Sequence, residues 1–123
     1  MRKFRTGVAV CLGVLLLLAA GAASAHAPSA IGLHWETGKR VLEVRVLHPV
    51  ADVTAHYISR ISVMAGNKVI AARTYTMQTN EKSQIDVFYL RPLRRGEKIT
   101  VVAKCNGKGS MTASMIIGRP HRR

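Results

Sequence analysis

Cysteine, acidic side chains and aromatic residues are all scarce in this chain of 123 residues. There are two cysteines, six Asp and Glu against 19 Lys and Arg, and an aromatic content of 5%. So few aromatic residues cannot form the stacking platforms that bind single-stranded nucleic acid, and no DNA- or RNA-binding motif is present. The excess of basic side chains therefore points to another anionic partner: a membrane surface, an acidic protein or a small anion.

The main apolar run lies at the start of the chain. Residues 8–20 form it, after the basic segment 2–5 and before the small residues 23–25. This is the layout of a secretory signal peptide over residues 1–25, and its apolar core is shorter than the ~20 residues that a membrane-spanning helix needs. We therefore expect cleavage after Ala25, a periplasmic or secreted protein, and no membrane attachment after cleavage.

Removal of residues 1–25 changes both the charge and the cysteine count. Three of the 19 basic side chains are lost, which leaves 16 against six acidic ones, and Cys11 is lost with them. Residues 26–118 are then enough for one small domain, followed by a basic tail over residues 119–123. The remaining Cys105 cannot form a disulfide within a monomer. It is an inert buried thiol, a reactive or intermolecular cysteine, or a thiolate ligand of a metal.

After residue 26 the chain consists of short runs in which apolar and polar residues alternate, and helical periodicity is absent. The segment 65–68 contains Gly and Asn, which tolerate positive φ, and it predicts a hairpin turn. These signals predict an all-β fold, an immunoglobulin-like antiparallel β-sandwich of about seven strands. The predicted strands are residues 32–36, 41–47, 58–64, 69–77, 85–90, 99–105 and 111–117.

The alternation also places the chemically interesting residues. Cys105 ends the more apolar face of the sixth predicted strand, next to the glycine-rich turn 106–109. His48 and His56 bracket the loop 49–55 between two predicted strands. Taken alone, a histidine before a proline is usually a loop residue. Imidazole combined with one thiolate suits iron, copper or zinc, so the three side chains together indicate a metal site.

These motifs resemble the iron-binding domain of desulfoferrodoxin and neelaredoxin, the superoxide reductases. In that family, four histidine imidazoles and an axial cysteine thiolate hold a ferrous iron in an immunoglobulin-like sandwich, and the sixth position is open to superoxide. The resemblance implies a desulfoferrodoxin-like domain over residues 26–118 with one non-haem iron as cofactor. It also implies superoxide or another small anion as the substrate, and an electron donor that the sequence does not identify. The matching segments are His48-Pro49, His56-Tyr57-Ile58, Gly66-Asn67-Lys68 and Cys105-Asn106-x-x-Gly109.

The resemblance implies a ligand set as well. His48 matches the family's His-Pro ligand and His56 its His-Tyr-Ile ligand, while Cys105 matches the axial thiolate. His26 matches an early His-x-Pro ligand. Lys108 stands where the family's last motif, Cys-Asn-x-His-Gly, has a histidine, and a protonated lysine has no lone pair to give a metal. We therefore expect an incomplete metal site. Lys108 is either an exposed turn residue or a catalytic cation that guides an anion or stabilises a peroxide product.

Two other functions stay open. The chain also resembles the Z-type carrier-binding subunit of thiosulfate oxidation, a binding module without metal, in its His-Pro, His-Tyr-Ile and Asn-Gly-Lys-like pattern. The second alternative is copper binding, because cleavage after Ala25 would leave His26 with an amine and an imidazole that can bind one metal together. Superoxide reductase-like oxidoreductase activity is expected only with an intact iron site.

Overall fold

The structure is a computed structural model, and it describes residues 26–118. The predicted signal peptide, residues 1–25, and the basic tail, residues 119–123, lie outside the described residues. The described part consists of strands joined by turns and loops, and it contains no helix that is long and apolar enough to cross a membrane. The seven strands are β1 (Ala30–Glu36), β2 (Val41–Leu47), β3 (Ile58–Ala65), β4 (Lys68–Thr74), β5 (Ser83–Tyr89), β6 (Lys98–Cys105) and β7 (Ser110–Ile116).

The strands form two antiparallel sheets that pack face to face. The three-stranded sheet has the order β1-β2-β5, and the four-stranded sheet has the order β4-β3-β6-β7. This confirms the predicted all-β sandwich. The chain passes between the sheets after β2, after β4 and after β5, so the loops at each end of the sandwich combine residues from both sheets.

The core follows from the two-residue period of the strands. On β2, Leu42, Val44 and Val46 are fully buried while the intervening Glu43 and Arg45 are exposed. On β6, every second residue from Ile99 is buried in the same way, and the row ends at Cys105 as predicted. The core itself is formed by Leu42, Val44, Val46, Ile58, Ile61, Val63, Phe88, Leu90, Ile99, Val101, Ala103 and Ile117.

The hairpin between β3 and β4 is confirmed, but β4 is shorter than predicted. Ala65 pairs with Lys68 across a two-residue turn, and Gly66 has a φ of +62°, which glycine adopts without strain. β4 ends at Thr74, three residues before the predicted end at residue 77. The chain leaves the sheet there because the backbone N–H of Gln78 donates to the Val53 carbonyl and the Gln78 side chain is buried in the interior.

A polar clamp joins the two sheets between β4 and β5. Asp86 accepts a hydrogen bond from the Tyr75 hydroxyl and forms an ion pair of 2.6 Å with Arg73. The Arg73 guanidinium also lies 4.8 Å from the ring centre of Phe88. Burial raises the pKa of Asp86, but the hydrogen bonds from Tyr75, from the Val87 N–H and from Arg73 lower it more, so the net shift is downward.

We expect the clamp to make stability sensitive to acid. A carboxyl group whose pKa is lower in the folded state stabilises the fold above its unfolded pKa of about 3.9, and this contribution is lost as the pH falls further. The Asp86→Asn variant should therefore be less stable than the unmodified protein at pH 7 and should lose less stability between pH 7 and pH 3. Urea unfolding at both pH values measures this difference. Glu43→Gln, at an exposed carboxylate on β2, is the control. An equal loss in Asp86→Asn and in the unmodified protein would contradict the prediction.

Candidate metal centre

His48 is a fully buried histidine that follows directly after β2. Its backbone N–H donates to the Lys82 carbonyl at 2.9 Å, which fixes the main chain where β2 ends. Its ring nitrogen Nδ1 lies 2.9 Å from Oε1 of Gln78, and its Nε2 lies 3.3 Å from the carbonyl oxygen of His26. Both ring nitrogens therefore have defined neighbours.

Gln78 determines the orientation of the His48 ring. Gln78 is 1% exposed, and its side-chain Nε2 donates to the carbonyls of His48 at 2.7 Å and Asn80 at 3.0 Å. Its Oε1 accepts the N–H of Ile58, at the start of β3, at 3.2 Å. Since Oε1 is an acceptor, we assign the proton of the His48–Gln78 hydrogen bond to Nδ1 of His48.

This hydrogen bond matches the way in which proteins orient metal-binding histidines. A histidine ligand usually donates one ring N–H to an oxygen, and the other nitrogen then carries the lone pair. In the tautomer with a proton on Nδ1 alone, Nε2 carries the lone pair, and its neighbour is the His26 carbonyl, which has no proton to donate. The local chemistry of His48 therefore fits a metal ligand.

His26 lies beside His48. The centres of the two rings are 4.7 Å apart, with planes inclined by 34°. The segment that carries His26 is held against the rest of the sandwich, because the Ser29 N–H donates to the Leu47 carbonyl at 2.8 Å and Ala27 packs over Gly109. The structure thus brings together two of the predicted ligands that are 22 residues apart in the sequence.

His56 faces the same cavity as His26. The cavity has a volume of about 560 Å³ and is lined by His26, Pro49, Val50, Ala51, Asp52, Ala55 and His56. The Thr54 hydroxyl and N–H both donate to Asp52, and these hydrogen bonds lower the pKa of that carboxyl group. Asp52 is therefore ionised at neutral pH, and its negative charge favours a cation in the cavity. We call this end of the molecule, with His26, His48 and His56, the histidine end.

Cys105 is buried at the end of β6, opposite Ile58 of β3. Its Sγ accepts a hydrogen bond of 3.4 Å from the Gly107 N–H. The next residue, Asn106, ties this turn to the loop that carries His56. Its side chain donates to the Ala55 carbonyl at 3.0 Å and accepts the Tyr57 N–H at 3.1 Å. The loop and the turn are thereby fastened to each other.

The predicted ligands are not assembled into one group. Within residues 26–118, no three His, Cys, Asp or Glu side chains are close enough together to hold a metal ion. His26 is next to His48 and shares a cavity with His56, whereas Cys105 and Lys108 are not among the residues that line this cavity. Lys108 is exposed in the turn after β6. The donor types suit a transition metal, while the ligand set itself stays a prediction.

A scan against protein-family models finds no match, and no curated protein matches the sequence. Among solved structures, the superoxide reductase (1Fe-SOR) from Giardia intestinalis is similar, with a TM-score of 0.53 and 19% sequence identity over 76% of this chain and 99% of that chain. This chain has a fold like that of this superoxide reductase. At such low identity the similarity establishes the fold alone, and the chemistry must be argued from the side chains.

Two neelaredoxin structures also match, each with a TM-score of 0.46. One is a single-residue variant of the neelaredoxin from Ignicoccus hospitalis, with 17% identity over 80% of this chain and 85% of that chain. The other is the neelaredoxin from Archaeoglobus fulgidus in the reduced form, with 18% identity over 75% of this chain and 90% of that chain.

The sequence did not predict two residues that organise the histidine end. Gln78 lies in a polar stretch after β4, and the sequence around it carries no signal that the side chain is buried. Gly109 belongs to the predicted turn 106–109, but its close approach to Ala27 depends on a segment 82 residues away in the chain. Both contacts bring together distant parts of the chain, so local sequence patterns do not reveal them.

Proposed function

We propose that this neelaredoxin-like chain is an exported iron-binding protein that uses His26, His48, His56 and Cys105 as ligands. The observation that supports it most is the buried His48 ring, whose Nδ1 proton is held by Gln78 and whose Nε2 is next to His26. A buried imidazole in a purely structural role usually has hydrogen-bond partners suited to both nitrogens. Here the neighbour of Nε2 is a carbonyl oxygen, with which a ring protonated only at Nδ1 makes no hydrogen bond.

Iron in this site would supply one-electron reduction chemistry, and superoxide is the substrate that the fold suggests. The protein contributes charge and ligand type. A thiolate such as Cys105 raises the electron density of an iron that it ligates. The excess of basic side chains attracts small anions by long-range steering, an effect that high salt weakens. In this proposal Lys108, exposed in the turn beside Cys105, adds a local positive charge for the anion.

The test is the spectrum of the iron-loaded protein. We expect that protein purified without an affinity tag and loaded anaerobically with Fe²⁺ develops a thiolate-to-iron charge-transfer absorption after oxidation. The Cys105→Ser variant should lose this absorption and remain folded, because a buried cysteine packs as a small hydrophobic residue. Absorption spectroscopy measures the charge transfer, metal analysis measures the iron content, and thermal unfolding confirms the fold.

The control is His34→Ala, which removes an exposed histidine on β1. This variant should bind iron and absorb like the unmodified protein. Charge-transfer absorption that survives in Cys105→Ser would show that Cys105 is not a ligand. Failure of the unmodified protein to bind iron would refute the proposal and favour the metal-free carrier-binding role. Copper binding that depends on His26 but not on Cys105 would favour the copper alternative.

A further inference from the structure

A second concave site lies at the opposite end of the sandwich. It is a cleft of about 710 Å³, in the size range of small-ligand sites, where β5 ends and β6 begins. Its lining contains three arginines and a single acidic residue, Glu97. We call it the arginine cleft, and its lining residues are Arg91, Pro92, Arg94, Arg95 and Glu97.

Glu97 connects Arg91 and Arg94 in the arginine cleft through hydrogen bonds. Its Oε2 accepts a hydrogen bond of 2.8 Å from the Arg91 guanidinium, and its Oε1 accepts the Arg94 N–H at 2.9 Å. The Arg91 guanidinium also donates to the Pro92 carbonyl at 2.9 Å. The hydrogen bond from Arg91 lowers the pKa of the Glu97 carboxyl group. Glu97 is therefore ionised at neutral pH and balances the charge of Arg91.

The turn that carries the other two arginines is fixed to the end of β7. The Gly96 N–H donates to the Ile117 carbonyl, and the Ile117 N–H donates to the Glu97 carbonyl, both at 2.8 Å. The side chain of Arg95 packs on Gly118 so closely that a Cβ at Gly118 would lie 2.9 Å from Cγ of Arg95. The backbone that presents the arginines is therefore preorganised.

Two positive charges in the cleft are not balanced within the described part of the chain. Among residues 26–118, the ion pairs are Arg73–Asp86 and Arg91–Glu97, and neither includes Arg94 or Arg95. Both of these arginines are exposed. Arg94 and Arg95 are adjacent on one short turn and line the same cleft, so a ligand that carries two negative charges would balance the charges of both.

We propose that the arginine cleft binds a phosphate group in its doubly charged form, as in inorganic phosphate or a phosphate monoester. Guanidinium groups bind phosphate oxygens through paired N–H donors, and the charge of a phosphate monoester at neutral pH is −1.5 to −2, which matches the two unbalanced arginines. A carboxylate or a phosphodiester has only one negative charge and leaves one arginine unbalanced.

The arginine cleft is separate from the histidine end. Lys98 and Cys105 are the two ends of β6, whose eight residues extend about 23 Å at about 3.3 Å per residue. This distance exceeds the screening length of about 8 Å at physiological salt. Phosphate binding in the cleft therefore neither depends on iron at the other end nor follows from the proposed function.

The test compares two double variants that lose the same charge. We expect that inorganic phosphate binds to the purified full chain at pH 7.5 and about 0.15 M salt, as measured by isothermal titration calorimetry. The double variant Arg94→Gln/Arg95→Gln should weaken phosphate binding at least about tenfold, because a loss of this size corresponds to about one hydrogen bond to a charged group. The control is Arg60→Gln with Lys104→Gln, two cations that pair in register on β3 and β6, and it should change binding less than about twofold because exposed distant charges are screened.

A third variant distinguishes guanidinium geometry from charge. Arg94→Lys with Arg95→Lys keeps both charges but removes the planar fork, and it should bind phosphate more weakly than the unmodified protein. It also replaces the first variant if that protein does not fold. Binding that is equal in all variants, or a failure of the unmodified chain to bind phosphate, would overturn the proposal.

The source of the phosphate group is settled with vesicles. Phosphatidylcholine vesicles that contain phosphatidic acid present a phosphate monoester on a surface. If the ligand is a lipid headgroup, these vesicles should bind the protein through Arg94 and Arg95, and inorganic phosphate should compete for the cleft. If the ligand is a free phosphate compound, the vesicles should bind equally to the unmodified protein and to the Gln double variant. Inorganic phosphate should still bind more tightly to the unmodified protein than to this variant. Vesicle binding that inorganic phosphate does not displace, and that persists in the Gln variant, would contradict a phosphate site in the cleft.

Discussion

Replacing Gln78 with Leu is expected to lower the free energy of unfolding by about 3 kcal/mol, because a buried polar group without a partner costs about 1–3 kcal/mol. The substitution leaves the Nδ1 proton of His48, the Ile58 N–H and the His48 carbonyl without their partner in the interior. For a domain of this size, such a loss lowers the melting temperature by about 15 °C. Chemical unfolding and thermal scans measure both quantities.

A second buried glutamine provides the matched control. Gln84 is 5% exposed, and its Oε1 accepts one backbone hydrogen bond, from the Thr79 N–H at 2.9 Å. Gln84→Leu is the same substitution at a similarly buried position, and it should cost only about 1 kcal/mol. Equal losses of stability in Gln78→Leu and Gln84→Leu would contradict this prediction. They would show that the additional hydrogen bonds of Gln78 do not add to the free energy of unfolding.

The Gly109→Ala substitution should disturb both stability and the histidine end. Gly109 has a φ of +113°, and a Cβ there would lie 2.8 Å from Cβ and 2.9 Å from Cα of Ala27. Residues in such backbone conformations cost about 1–3 kcal/mol, and the contact with Ala27 must be relieved in addition. The segment with His26 can relieve it only by moving away, so we expect a loss of about 3 kcal/mol and weaker iron binding.

Gly38→Ala is the control for this substitution. Gly38 lies in the turn after β1, no atom lies within 4 Å of a Cβ built there, and its φ is not in the positive region. This variant should retain the stability and the iron affinity of the unmodified protein. NMR spectra of the ring protons of His26 and His48 report whether the two rings stay together. Unchanged spectra and stability in Gly109→Ala would mean that Ala27 does not determine the position of His26.

Much of the fold could be predicted from the sequence because a sheet repeats every two residues. The alternation in β2 placed Leu42, Val44 and Val46 in the core, and the same period placed Cys105 at the buried end of β6. The Gly66 turn was identified because a two-residue hairpin requires unusual φ values that few residues adopt. These features depend on residues that are close together in the sequence.

The candidate site depends on contacts between distant segments, and the sequence predicted less of it. His26 and His48 are adjacent because the first described segment lies across the turn at Gly109, and His48 is oriented by Gln78, 30 residues away. The end of β4 was misplaced for the same reason, since Gln78 leaves the sheet for partners that no local pattern indicates. Whether His56 and Cys105 join a common metal is still a prediction.

The length of β6 also makes the two ends of the molecule energetically independent. Substitutions that are more than about 10 Å apart and share no contacts change the free energy additively, within about 0.5 kcal/mol. Lys98 and Cys105 are separated by the full strand, so a change in the arginine cleft should not alter the ligand preference of the histidine end. Such a scaffold allows the residues at one end to evolve towards a new ligand while those at the other end keep theirs.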